Sequence, residues 1–179
     1  NITFVGTGKD TTTILGGFAI NNLENITFKQ MTVTNTSDSG RGISMSHSKV
    51  KLMDVAVKGC SRYAFFIPNS TSETTVVVAT RCEFANGYWG ARVYGSLTSA
   101  TFNNCVFHDN KSDGIQGFVG STIHLHGEAT AIHSNGDDGI FVIQGTKVLI
   151  HLPSHHNTSY NNRRDRTTRS GATITNVED

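Results

Sequence analysis

The chain predicts an all-β fold, a solenoid of about seven coils of 22–27 residues. Three observations carry this. An apolar alternation, a polar stop, and a Gly or Ala opening another apolar strand recur as "VAVKGCSRYAFFI" (55–67), "CEFANGYWGARV" (82–93), "CVFHDNKSDGIQGF" (105–118) and "TAIHSNGDDGIFV" (130–142). The opening small residue falls at Gly42, Ala64, Gly90, Gly114 and Gly139, with spacings of 22, 26, 24 and 25. Apolar side chains then line up in columns from coil to coil. A strand repeat of this length buries its core only by stacking on its neighbours.

Each coil takes three strands in order. The first is "NITF" (25–28), "VKL" (50–52), "TVVV" (75–78), "ATF" (100–102), "IHL" (123–125) and "VLI" (148–150). The second is "MTV", "VAV", "CEF", "CVF" and "TAI". Residues i and i+2 of a strand share a face, so Met31, Val55, Cys82, Cys105 and Thr130 form one inward column. Val33, Val57, Phe84, Phe107 and Ile132 form another. Polar stops follow at Asn35, Asn86, Asn110 and Asn135, with Gly59 and Cys60 in the remaining coil. Asn tolerates a left-handed backbone and bonds locally, and stacked Asn amides form ladders. The third strand is "GISM", "AFFI", "GARV", "GIQGF" and "GIFV". It sends Ile43, Phe65, Ala91, Ile115 and Ile140 inward, joined by Met45, Ile67, Val93 and Val142.

After residue 150 the pattern weakens. Arg163, Arg164, Asp165, Arg166 and Arg169 precede a last strand-like "ATITNV". The expected division is a solenoid over 1–162 and an Arg-rich cap or tail with a final strand over 163–179. A solenoid end has to be covered against edge pairing. An anion- or polysaccharide-binding tail is the competing reading.

Composition limits the partners. The formal charge of +1 gives no general attraction to nucleic acid or anionic membrane. No apolar run approaches the roughly 18 residues needed to span a bilayer. No basic segment followed by an apolar stretch opens the chain, so a processed or trimmed chain is expected and the compartment stays open. Three cysteines make no disulfide framework. Cys82 and Cys105 should stack about 4.8 Å apart as inward neighbours. Small buried thiols are the reading preferred over a bridge. Six Asn-x-Ser/Thr sequons, at Asn1, Asn25, Asn35, Asn69, Asn110 and Asn157, point weakly to a secreted or cell-surface glycoprotein.

With strands, columns and corners in register over most of residues 1–162, the chain resembles the right-handed parallel β-helix of the pectin-lyase-like superfamily. The opening "NITFVGTGKDTTTI" is similar to the early coil of such proteins. The resemblance implies the fold and leaves the reaction open, because one architecture hosts lyases, hydrolases, esterases, epimerases and inert fibres.

The sharpest catalytic candidate is "NGDDGI" (135–140), where Asp137 and Asp138 are neighbouring carboxylates that can divide acid and base roles. It is similar in form to the paired-Asp motif of polygalacturonase-type hydrolases, whose "RIK" and "GHG" strings this chain lacks. The preceding coil reads "NKSDGI", with Asp113 in the place of Asp138, and an Asp before Gly at a repeated turn is ordinary turn chemistry. A lyase of the superfamily would need calcium held by six to eight oxygens. The outward row of the first strand, Thr27, Lys51, Val77, Thr101, His124 and Leu149, holds no carboxylate. The epimerase-type "DPHD" string is absent. No cofactor is expected, calcium entering only under the lyase alternative.

Eight histidines include His124 with His126 on one strand face, His108 with His133 in adjacent coils, and His155 beside His156. None of these pairs has an evident third partner, and a zinc site needs three or four ligands. The outward face of the third strand is richer. Its columns run Ser44, Phe66, Arg92, Gln116, Phe141, then Ser46, Pro68, Tyr94, Phe118, Ile143, with Tyr88 and Trp89 at the corner. Exposed apolar patches mark interaction sites, and aromatic and Arg residues anchor them. The sequence therefore points to a non-catalytic binding or structural module. It would meet a polysaccharide, a protein or its own copy through Phe66, Trp89, Arg92, Tyr94, Gln116, Phe118 and Phe141. The alternative is a pectin- or uronan-active hydrolase or lyase using Asp137 and Asp138.

Overall fold

The structure, a computed structural model, describes residues 1–68, 74–155 and 158–178. The sequons at Asn69 and Asn157 and the residue His156 lie outside the described residues. Among the described residues every strand pairing is parallel and the strands stack as a solenoid. Among the described residues no helix is long and apolar enough to cross a membrane.

Three faces wind around one core. The first and second faces are continuous where a single strand turns their corner, as in β4 (Ile26–Thr34) and β6 (Lys49–Lys58). They separate later in the chain. The first face then continues through β8 (Thr75–Thr80), β11 (Thr98–Asn103), β14 (Thr122–His126) and β17 (Lys147–His151). The second continues through β9 (Glu83–Ala85), β12 (Val106–His108), β15 (Ala131–His133) and β18 (Ser159–Tyr160). The third face holds seven strands: β3 (Phe18–Asn21), β5 (Ile43–Ser46), β7 (Tyr63–Ile67), β10 (Trp89–Tyr94), β13 (Ile115–Phe118), β16 (Asp138–Val142) and β19 (Arg164–Thr168). β1 (Ile2–Val5) and β2 (Thr13–Leu15) open the rod against β4. The Arg-rich stretch expected as a cap or tail supplies β19, paired on β16, and β20 (Thr173–Val177), paired on β17.

The inward register is as the alternation predicts, except in the first strand at Val77. Expected in the outward row, Val77 is fully buried in line with Val50 and Ala100, and Val78 takes the outward place beside Lys51 and Thr101, because this coil is one residue out of step with the sequence count. Every residue of the expected inward columns is exposed by 3 % or less, and the pairings put Phe107 between Phe84 and Ile132. Phe84 and Phe107 stack with ring centroids 4.8 Å apart, close to the strand spacing. Cys60, Cys82 and Cys105 are buried and free. Burial and the adjoining Cys82 thiol push the Cys105 thiol up, so it packs as a small apolar group.

Corners are made by one or two residues with left-handed backbone, recurring at equivalent places in successive coils. Gln30, Asp54, Arg81 and Asn104 make the first corner, and Gly59, Asn86, Asp109, Ser134 and Asn161 the second. The third is turned by Val119–Gly120, Gln144–Gly145 and Ser170–Gly171, each pair with positive φ. Sequence reading credits Asn with these turns, yet Gln, Asp, Arg and Ser take them too, because stacking imposes the angle on whatever residue stands there.

The amide ladder is present with a corrected membership. Asn110 Nδ2 donates to Asn135 Oδ1 and Asn135 Nδ2 to Asn162 Oδ1, each at 2.9 Å. Asn162 is an unanticipated rung. Asn86 is not one: it sits a residue earlier in the corner, exposed and left-handed, and Gly87 takes the ladder position, donating its N–H to Asn110 Oδ1. Asn110 is only 2 % exposed, so its sequon is closed in the folded chain. Asn1 and Asn25 are exposed.

Candidate functional site

The outer surface of the third face divides into an acidic part and a basic, aromatic part. Both follow from the register. Trp89 lies opposite Tyr63 and Asp138 opposite Arg164 at the start of the strands. One column further, Phe66, Arg92, Gln116, Phe141 and Thr167 are successive rungs.

The acidic part contains both candidate catalytic residues. Carboxylate oxygens of Asp113, Asp137 and Asp138 lie within 4.8 Å of one another. Asp138 is 1 % exposed and engaged on all sides. It accepts from Arg164 Nε at 2.6 Å, Arg164 Nη2 at 3.0 Å and Thr167 Oγ1 at 2.8 Å. Asp137, half-buried, meets Arg164 Nη2 at 3.2 Å and Arg163 Nη1 at 3.5 Å. Asp113 Oδ1 accepts the Asp138 N–H at 2.8 Å, and its Oδ2 accepts from Gln116 Nε2 at 2.7 Å. Asp113 and Asp138 are thus equivalent corner residues, the later one neutralised by an arginine of the next coil. A carboxylate closed over by a guanidinium and a threonine hydroxyl has no open side for a glycosidic oxygen or a water. Calcium does not fit either, because Arg164 stands where the cation would be and the cluster offers too few free oxygens.

Burial raises the Asp113 carboxyl above its ordinary value of 3.8, with the neighbouring Asp138 and Asp137 charges adding to the rise. The group's stabilising share is therefore fully present below pH 3.8 and is lost as pH rises through the raised folded value. Asp113→Asn removes that loss. Gln116 Oε1 is buried without a partner, so a flipped Gln116 amide accepts from the new Nδ2. The variant is expected to lie within about 1 kcal/mol of the parent at pH 7. The stability difference between the two should move in the variant's favour as pH rises from below 3.8. Urea unfolding at several pH values measures it, and a pH-independent difference would refute the assignment.

Gln116 itself departs from expectation. It is 7 % exposed, turned into the Asp113 contact, and does not belong to the outer binding surface. The aromatic row is also less open than the alternation predicts. Phe66, Trp89, Tyr94, Phe118 and Phe141 are half-buried, since rings and arginines cover one another. Tyr63 stacks on Trp89 at 4.8 Å and on Phe66 at 4.9 Å, and Tyr94 on Phe118 at 5.7 Å. The large exposed apolar side chains gather instead at the rod's first coil, led by Leu15 at 83 % and Val5 at 62 %.

Three arginines thread the aromatic part. Arg41 lies 4.3 Å over Phe66, Arg62 5.3 Å over Tyr63 and Arg92 4.4 Å over Phe118. Arg92 also donates to Tyr63 Oη at 2.8 Å, and its enclosed Nε has no acceptor among the described residues. No carboxylate among the described residues forms an ion pair with any of the three. They line a pocket of about 250 Å³ with Tyr63, Phe66, Pro68 and Tyr94. Arg41 and Arg62 continue into an adjoining depression of about 370 Å³ floored by Gly17, Phe18, Ala19 and Ser44.

Of the residues expected to bind, Phe66, Arg92 and Tyr94 meet in this pocket, Phe118 touches it through Arg92, and Trp89 flanks it through Tyr63. Phe141 lies beyond, in contact with Phe118. Sequence reading missed Arg41, Arg62 and Tyr63. The sequence signal for them is their place one or two residues before a strand-opening Gly42 or Ala64, outside the columns that run forward from it.

Residues 41–178 match the family model described as right handed beta helix region. Comparison with curated proteins and with solved structures returned no match. With the match spanning most of the chain and the parallel solenoid visible in its strands, the chain belongs to the right-handed β-helix family.

Proposed function

We propose that the chain is a non-catalytic binding module whose third face takes an anionic polysaccharide. The observation that carries this is the convergence of Arg41, Arg62 and Arg92 on one aromatic-walled pocket without a carboxylate partner among the described residues. Guanidinium groups form bidentate bonds with carboxylates, and ring faces pack against the C–H faces of sugars. A linear chain laid along the rod meets one rung per coil, so the pocket and the adjoining depression serve as consecutive subsites. Closure of the rings by their own arginines disfavours self-association through this face, and the occupied state of Asp138 disfavours the hydrolase or lyase reading.

The test is calorimetric titration with an oligouronate and with a neutral glucan of equal length. The oligouronate alone should bind, more weakly as salt rises. Arg41→Ala with Arg62→Ala should weaken it at least about tenfold, and Phe66→Ser or Phe118→Ser should weaken it too. Equal binding of the neutral glucan, or binding untouched by the arginine substitutions, overturns the reading. Uronan cleavage seen as reducing ends or unsaturated products, and abolished by Asp138→Asn, would establish the enzyme in its place.

A further inference from the structure

On the outside of the first face, far along the chain from the arginines in sequence, three histidines meet. His124 and His126 are alternate residues of β14 and point the same way. His151 ends β17 one residue beyond the paired Leu125 and Ile150, which places it opposite His126 in the next coil. His124 Nδ1 lies 3.0 Å from His151 Nε2. The His126 and His151 rings stack at 3.9 Å and 16°, those of His124 and His151 at 5.3 Å and 25°. One ring nitrogen from each residue falls within 4.8 Å of the others, and all three side chains are half-buried.

Burial, followed by the charges of His151 and His126, holds His124 below its ordinary value. Metal–nitrogen bonds of about 2.0–2.1 Å at tetrahedral or square angles put two ligating nitrogens roughly 2.9–3.4 Å apart. The hydrogen-bonded His124–His151 pair is already at a separation within that interval, and a metal ion entering there displaces the shared proton. The donor set is all imidazole, which selects zinc, copper or nickel over calcium or magnesium. In the other stacked pair His108 Nε2 is taken by Glu83 at 3.0 Å and its Nδ1 by Asp109 at 2.7 Å, so both of its ring nitrogens are engaged by carboxylates.

We propose that His124, His126 and His151 form a binding site for a divalent transition-metal ion, zinc being the probe, with its remaining coordination open to solvent. The site joins the coils of β14 and β17 and is independent of the third-face pocket.

Equilibrium dialysis of tag-free protein against zinc chloride tests it, together with imidazole nitrogen NMR of the unsubstituted protein. One zinc per chain should bind, the melting temperature should rise, and the perturbed imidazole resonances should be those of His124, His126 and His151. Each of His124→Ala, His126→Ala and His151→Ala should weaken binding at least about tenfold, while His133→Ala should leave it unchanged. Absence of saturable binding, equal loss with His133→Ala, or perturbation of other imidazoles instead would overturn the site.

Discussion

Phe107→Ala is expected to lower the free energy of unfolding by about 3–5 kcal/mol. The ring is fully buried, stacks on Phe84 at 14° and meets Phe102 edge-on at 4.9 Å. Collapse around the missing ring is hindered, because Phe84 below and Ile132 above are held by strands whose hydrogen bonds fix the coil spacing near 4.8 Å. Urea denaturation reads the loss directly. A loss under about 1 kcal/mol would mean that the second strand's inward face is assigned one residue out of register.

Asn135→Ala should cost about 3 kcal/mol, the second largest effect expected here, at roughly 1–3 kcal/mol for each buried group left unpaired. Asn135 Nδ2 donates to Phe107 O at 3.1 Å, and its Oδ1 accepts from Asn110 N at 3.2 Å and Asn110 Nδ2 at 2.9 Å. Truncation strands a carbonyl and an amide inside the rod. Asn86→Ala at the neighbouring corner position is the informative contrast. Asn86 is exposed and contributes through its left-handed backbone alone, so about 1 kcal/mol is expected. Thermal and urea unfolding of the two variants separate the roles, and equal losses would contradict the ladder.

The difference between those two asparagines shows what the sequence makes legible. Alternation and spacing are long-range, redundant signals, so inward columns such as Val33, Val57, Phe84, Phe107 and Ile132 are readable without coordinates. A corner occupies one or two residues, and a shift of one position changes a buried amide rung into an exposed turn. The candidate site was legible to the same degree. Phe66, Arg92 and Tyr94 lie in forward-counted columns and were named. Arg41 and Arg62 come from before the strand and turn over its rings, a side-chain path that periodicity does not encode. Gln116 obeys the outward parity of its column and is nevertheless buried, because Asp113 in its own coil draws its amide inward. His151 completes the histidine trio only when the register of β14 and β17 is known, since strand alternation relates His124 to His126 but says nothing about the next coil.

The left-handed corner residues also make the length of this rod quantised. Asn104 turns one coil out of the first face, and Cys105 and Thr130 start equivalent second-face strands. Excising 105–129 would therefore bring Asn104 directly onto Thr130 and leave each later corner in phase, the 25 residues removed matching the interval from Gly114 to Gly139. Removing only part of a coil would carry the later side chains out of their columns. Gene rearrangement in a chain of this kind is thus constrained to gain or lose surface in whole turns, each bringing one rung to all three faces at once. The arginine pocket and the histidine trio are set at a separation that only an integral count of coils can alter.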